Sequence, residues 1–222
     1  MSGGAVLLLS GGMDSATLLW WLKERSPDAS VAAVSVDYGQ RHRVELEHAE
    51  DLARLAGVRV HKRLELNLNS IGGSPLTDGG LEVPAATAGR QVDTVVPLRN
   101  MLLVTAAAAY AETQGVEDLY VAPVKDDYDA YRDCRRAFFD GLEQALRLGA
   151  TREIPFRLHT PFVDMWKTEV VALGLRLGVP YGRTHTCYAG TRPACGRCDA
   201  CAERLAAFAA NGADDPLEYT VH

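Results

Sequence analysis

Two groups of residues in this chain have types and spacings that chemistry uses. The first is Ser10-Gly11-Gly12-Met13-Asp14-Ser15, which follows the apolar run Ala5 to Leu9 and leads without a break into Ala16 to Leu22. Five apolar residues in a row read as a buried parallel strand, Ser-Gly-Gly as a turn, and Asp14-Ser15 as the first turn of a helix. Paired glycines let backbone N–H groups approach an oxyanion with no side chain in the way. The helix start adds unpaired donors and a partial positive charge. Such a turn suits phosphate or pyrophosphate. The plainer alternative is a Gly-Gly turn with an Asp or Ser N-cap. No lysine follows and only two glycines are present, so it is neither the G-x-x-x-x-G-K-[ST] loop nor the G-x-G-x-x-G fingerprint.

The second group is Cys187, Cys195, Cys198 and Cys201, spaced C-x7-C-x2-C-x2-C with glycines at 190 and 196 that let the loop fold back. Two tight steps sharing Cys198 suit tetrahedral zinc; an iron-sulfur cluster uses similar spacings and is the main rival. With four cysteine ligands no open coordination position remains, so the spacing predicts a structural site rather than a Lewis acid. Four of the five cysteines crowd into this short stretch, which points to metal rather than disulfides. The fifth, Cys134, reads as a small buried thiol.

These groups need a scaffold, and the hydrophobic pattern supplies one. Strands are expected at 5–9, 31–36, 58–66, 119–122 and 156–160. Helices are expected from Ser15 to about Glu24, Val44 to Ala56, Met101 to Gln114, in the stretch ending near Leu148, and in that ending near Gly178. The Ala-rich 101–114 helix is apolar nearly all round and is expected to be buried. Strands alternating with helices predict an α/β fold, a doubly wound parallel sheet with a small C-terminal zinc-binding module. Ligands of such sheets sit outside the carboxyl ends of the strands, where Asp37-Tyr38-Gly39-Gln40-Arg41-His42 would meet a nucleotide base or ribose, unless it is a solvated loop. Arg99 and Asn100 open the Ala-rich helix, the arginine as a cation for phosphate and the asparagine as a cap. The segment 67–93 has no periodicity and is too long for a plain connection, which makes it either a lid or a surface insertion.

Composition bounds the rest. At 222 residues, 47% hydrophobic and 23% charged, the chain suits a single domain over 1–222, with a zinc-binding segment at 184–205 inside it. A net charge of -6 argues against a broad nucleic-acid surface. No apolar run reaches the ~18 residues of a membrane span and no basic, then apolar, leader precedes the first strand, so a cytoplasmic protein is expected.

The motifs resemble those of a known family. Ser10-Gly-Gly-Met-Asp-Ser15 looks like the pyrophosphate loop of the ATP pyrophosphatases, the PP-loop superfamily with the adenine nucleotide alpha hydrolase-like fold. Together with Asp37-Tyr-Gly-Gln-Arg-His42, Val96-Pro-x-Arg-Asn100, Asp127-Tyr-x-x-Tyr131-x-Asp133-Cys-Arg135, Thr160-Pro161 with Lys167, and Thr186-Cys-Tyr with the cysteine tail, it is similar to the 7-cyano-7-deazaguanine synthase family, nearly end to end. The resemblance implies an ATP-dependent carbon-nitrogen ligase of queuosine biosynthesis that uses ATP, Mg²⁺ and one structural Zn²⁺, commonly as a homodimer. Its substrates would be 7-carboxy-7-deazaguanine and ammonia, its product the nitrile, reached through adenylated acid and adenylated amide.

The implied roles follow residue by residue. Leu9, Ser10, Gly11, Gly12, Met13, Asp14 and Ser15, with Tyr38, Gln40, Arg41 and Asn100, would hold the nucleotide, and Asp14 and Ser15 would also serve the chemistry. Arg99 and Lys167 would offset charge developing at the phosphates. Asp127, Tyr131, Asp133 and Arg135 would meet the deazapurine acid, and Cys187, Cys195, Cys198 and Cys201 would bind the zinc. The sequence departs from the family pattern at Leu98, where glycine is usual, at Lys125, and at 129–132. These departures fall in the presumed acceptor region, so a sibling that passes the same adenylated acid to another amine, such as that of a protein, or that stops at the amide, stays open. Thiolation would call for catalytic cysteines that this cluster has committed to metal.

Overall fold

Residues along the first strand alternate between two cores, and this alternation organises the molecule. The computed structural model describes residues 4–86 and 94–220. In β1 (Ala5–Leu8) and the residue after it, Ala5, Leu7 and Leu9 enter one apolar cluster, while Val6 enters another with Leu8 packed against it. Period two in a strand buried on both faces produces this division. β1 lies at the centre of a parallel sheet with β2 (Val31–Asp37), β3 (Val60–Glu65), β4 (Asp118–Tyr120) and β5 (Arg157–His159), in the order β3-β2-β1-β4-β5. The expected doubly wound parallel sheet is therefore present, with every strand but β2 shorter than its expected run.

The helices cover both faces. α1 (Met13–Arg25), α2 (Val44–Leu55), α5 (Lys167–Arg176) and α6 (Asp199–Ala210) contribute Leu18, Leu52, Val170 and Phe208 to the first cluster. α3 (Arg99–Gln114) closes the second with Ala107, Ala108 and Ala111, and α4 (Arg136–Gly149) packs Phe139 and Leu142 beside Val104 and Val163. Two expectations for α3 are corrected. It starts at Arg99, not Met101, and it buries one stripe, Val104, Ala107, Ala108 and Ala111, while Met101 is exposed. Alanine is apolar yet small, so an Ala-rich surface does not oblige a helix to be covered all round.

α6 has no counterpart in the sequence-based reading. Its Ala-rich 199–210 run overlaps the cysteine spacing, which puts Cys201 in the first turn of the helix. The segment 67–86 carries no helix or strand but is pinned. Arg41 donates its backbone N–H to the Leu76 carbonyl and its guanidinium to the carbonyls of Asp78 and Leu81, Leu76 is fully buried, and Ala86 N–H reaches the Arg197 carbonyl at 2.6 Å. The expected 67–93 segment also includes 87–93, which lie outside the described residues. Among the described residues, no helix is long and apolar enough to cross a membrane.

Candidate active site and metal centre

A cavity of about 260 Å³ opens beyond the carboxyl ends of the strands, where β1, β2 and β4 hand over to their following segments. One side of it is the turn after β1. Gly11 sits at φ +91°, and a Cβ there would collide with the Glu45 carbonyl, so only glycine fits. Gly12, in extended conformation, is the N-cap of α1, which puts Asp14 and Ser15 in the first turn as expected rather than at the cap, and no side chain caps that helix. The Ser10 hydroxyl accepts the Gly12 N–H at 3.2 Å and lies 3.0 Å from the Ser15 hydroxyl, bracing the turn across its mouth. Among the described residues, the N–H groups of Met13, Asp14 and Ser15 have no acceptor, as expected for an uncapped helix start. The result is a preformed anion cradle.

Charged side chains face this cradle. Asp14 Oδ1 is buried with no hydrogen-bond partner, and burial pushes the carboxyl up to about 6 against the opposing pull of Lys167. Lys167, the first residue of α5, is buried. Its ammonium lies 2.6 Å from Glu203 Oε2 and 4.0 Å from Asp14 Oδ2. Burial works against its charge, but Asp14, Asp127 and Glu203 together hold its pKa well above the ordinary value. Its backbone N–H is accepted by Asp126 Oδ2 at 2.6 Å. Burial also raises Asp127, again against Lys167.

Another part of the lining is aromatic: Tyr38, His42, Tyr131 and Tyr188 belong to it, with Glu45 and Arg99. The Arg99 guanidinium lies 5.7 Å over the Tyr131 ring and, among the described residues, has no carboxylate ion partner. Burial opposes its charge, yet the surrounding phenols of Tyr38, Tyr188 and Tyr131 keep its pKa raised. Burial pushes His42 down to about 3, with Arg99 adding to the shift, so its ring is neutral and Nδ1 is left unpartnered. Burial pushes the Glu45 carboxyl up to about 8, opposed by the Gln40 amide that donates to it at 3.0 Å.

The family model described as "Queuosine biosynthesis protein QueC" matches residues 4–212. The 7-cyano-7-deazaguanine synthase of Thermosynechococcus vestitus is 42% identical over 98% of this chain and 96% of its own length, and that of Thermoplasma acidophilum is 43% identical over 97% and 91%. The chain belongs to this family. Among solved structures, an NMN synthetase from Francisella tularensis superposes with a TM-score of 0.53 at 16% identity over 96% of this chain and 79% of its own. A U34-tRNA thiolase from Methanococcus maripaludis does so at 0.53 and 16% over 82% and 58%. At that identity these likenesses concern the fold alone.

For this family member, the fold gathers Leu9, Ser10, Gly12, Met13, Asp14, Ser15, Tyr38, Arg99, Asn100, Asp127, Tyr131 and Lys167 around one cavity. It does not bring five other expected residues to the lining. Gly11 shapes the turn from behind, its carbonyl accepting the His185 N–H at 2.9 Å. Gln40 is buried under β2, bonded to Tyr38 N–H and Val36 carbonyl, and Arg41 holds the 76–81 segment. Asp133 caps α3 by accepting the Asn100 N–H at 2.9 Å, so Asn100 is the capped residue rather than the cap. Arg135 is exposed and donates to the Tyr128 carbonyl. His42, Glu45, His185, Thr186 and Tyr188 line the cavity without having been assigned a role. His42 and the Thr-Cys-Tyr run did stand inside quoted motifs, but nothing in their spacing shows which way a side chain turns.

The four cysteines converge as their spacing predicts, all sulfurs lying within 4.8 Å of one another. Cys195 and Cys201 sulfurs are 4.0 Å apart, close to the ~3.8 Å edge of a tetrahedron with Zn–S bonds of about 2.3 Å. The donor set fits a closed tetrahedral thiolate site. It is built into the cavity wall: Thr186 and Tyr188 flank Cys187, Ala200 precedes Cys201, and all three flanking residues line the cavity.

Proposed function

We propose that this cavity carries out both halves of the 7-cyano-7-deazaguanine synthase reaction at one carbon. The family is one of queuosine biosynthesis, and the enzyme is an ATP-dependent ligase. The single observation behind the proposal is the meeting of two unlike surfaces in one chamber. These are an uncapped helix start with a lysine, and a guanidinium among aromatic rings that, among the described residues, has no carboxylate ion partner.

A carboxylate is a poor electrophile. Its oxygen therefore attacks the α-phosphorus of ATP, pyrophosphate departs, and ammonia displaces AMP to leave the amide. The amide oxygen attacks a second ATP in the same way, and loss of AMP and of both amide protons yields the nitrile. Donors from Ser10 to Ser15 hold the departing pyrophosphate, and Lys167 and Arg99 offset the charge that grows on it. Asp14, with its unpartnered oxygen, would hold Mg²⁺, which supplies further positive charge at the phosphates. Leu9 and Tyr38 bound the adenosine, with Gln40 and Arg41 holding Tyr38 and the neighbouring segment. Asp127 and Tyr131 face the deazapurine acid, with Asn100 below them and Asp133 and Arg135 supporting from outside. Cys187, Cys195, Cys198 and Cys201 would hold Zn²⁺, which supplies a structural crosslink and no open coordination position. We further infer a single domain over 1–222 with the zinc segment at 184–205, a homodimer, free ammonia as the nitrogen source, and a cytoplasmic setting.

The test is a product assay. Purified protein with ATP, Mg²⁺, ammonia and 7-carboxy-7-deazaguanine is expected to release two AMP for each nitrile resolved by mass. An amide that accumulates without nitrile, or an adenylate that waits for a different amine, would assign the chain to the sibling activity instead.

A further inference from the structure

Lys167 is surrounded by acids, but among the described residues only Glu203 grips its head. Asp126 is occupied by the backbone N–H of Lys167, Asp127 acts on the ammonium without an ion pair, and Asp14 stands at 4.0 Å. Glu203 Oε2 is at 2.6 Å, a charge-assisted hydrogen bond. Glu203 belongs to α6, the helix whose N-cap is Cys198 and whose first turn holds Cys201. The same helix is locked farther along by Arg204, whose fully buried guanidinium binds Asp215, the Thr184 hydroxyl and the Tyr181 carbonyl. The lysine's place is therefore set from a helix that the cysteine cluster starts and Arg204 anchors, not from the phosphate turn.

That geometry has a chemical consequence. Removing one partner of a buried ion pair leaves the other charge uncompensated, which favours its pairing with whatever carboxylate remains in reach. If Glu203 did not hold it, Lys167 would close the gap to Asp14 and fill the cradle with an internal ion pair that a triphosphate must break. We propose that Glu203 is a positioning residue, which keeps Lys167 off Asp14 and so leaves both free to meet the nucleotide. The inference rests on the reading that Lys167 serves the phosphate side of the site.

Glu203→Gln and Glu203→Asp test it, each measured for metal content, for affinity toward α,β-methylene-ATP by titration, and for steady-state constants. Glu203→Gln is expected to keep wild-type metal content, to weaken analogue binding and raise the ATP KM about tenfold, and to leave the KM for the deazapurine acid within about twofold. Glu203→Asp, one methylene shorter, is expected to fall between. In a Lys167→Ala background the same substitution is expected to have no further effect on analogue affinity, the signature of two residues acting as one unit. The proposal is overturned if the two changes add independently, if analogue affinity is unchanged in Glu203→Gln, or if that variant loses metal, since Glu203 would then be a scaffold residue. Analogue binding is read without turnover, so a wild-type protein that made no nitrile would sink the functional reading while leaving this outcome separately decided.

Discussion

Asp14 shows how a site residue is kept at the expense of stability. Its folded pKa, raised by burial to about 6 from 3.8, means the native state holds a proton that the unfolded chain has lost between those values. Stability is therefore greatest below the unfolded pKa and declines as pH rises through the folded one, by about 3 kcal/mol overall. Asp14→Asn is expected to be more stable than wild type by roughly that amount at pH 8 and equal to it near pH 4, while losing ATP-dependent turnover. Denaturant unfolding at the two pH values, beside an AMP-release assay, checks both. Leu98 is a second strained residue. It precedes Arg99 at φ +54°, left-handed backbone in which a Cβ crowds the carbonyl, and it is 59% exposed, so no packing compensates. Leu98→Gly is expected to gain roughly 0.5–1 kcal/mol in urea unfolding, part of the relief being offset by glycine's looser unfolded state. A stability loss would show that Leu98 makes a contribution that its exposure hides.

At the scale of elements, the site is held by helix ends. α1 is left uncapped where its donors face the cavity, while α3 is capped from another segment by Asp133. On the proposed function the contrast has a reason: an internal cap on α1 would occupy the donors that an anion would use, whereas a cap on α3 fixes Arg99 and Asn100 in its first turn. Asp133→Ala is expected to cost about 1–2 kcal/mol of stability and to lower turnover through displacement of Arg99. Asp133→Asn, which still accepts the Asn100 N–H, is expected to recover most of both, as read by thermal unfolding and AMP release. An Asp133→Ala protein with wild-type turnover would detach the α3 cap from the chemistry.

For the molecule as a whole, the sheet and the cysteine module meet at the cavity, and neither encloses it alone. Strand ends supply Leu8, Val36 and Val121, the module supplies Thr186, Tyr188 and Ala200, and a separate small apolar cluster of Cys187, Ala194, Cys198, Ala200 and Cys201 supports the second wall. That cluster is too small to stand without a crosslink. Cys198→Ala is expected to abolish metal binding and, because Cys198 is also the N-cap of α6, to lower the melting temperature and weaken nucleotide binding together. Elemental analysis and calorimetry check this. Full nucleotide affinity in metal-free protein would separate the module from the site.

Much of this was written along the chain. Alternating apolar runs and their glycine stops determined a parallel α/β sheet, because period two and period 3.6 are local consequences of backbone geometry. The Ser-Gly-Gly turn and the four cysteines were equally legible, since their chemistry depends on residues a few positions apart. Side-chain direction was not legible. Asp133 and Arg135 sit in the same short stretch as Tyr131, yet only Tyr131 reaches the cavity, and Glu203 grips Lys167 from 36 residues away. Only the packing of α6 against α5, and of the module against the strand ends, decided which polar groups share a chamber, because contact between distant segments is set by how their apolar faces are buried rather than by local sequence.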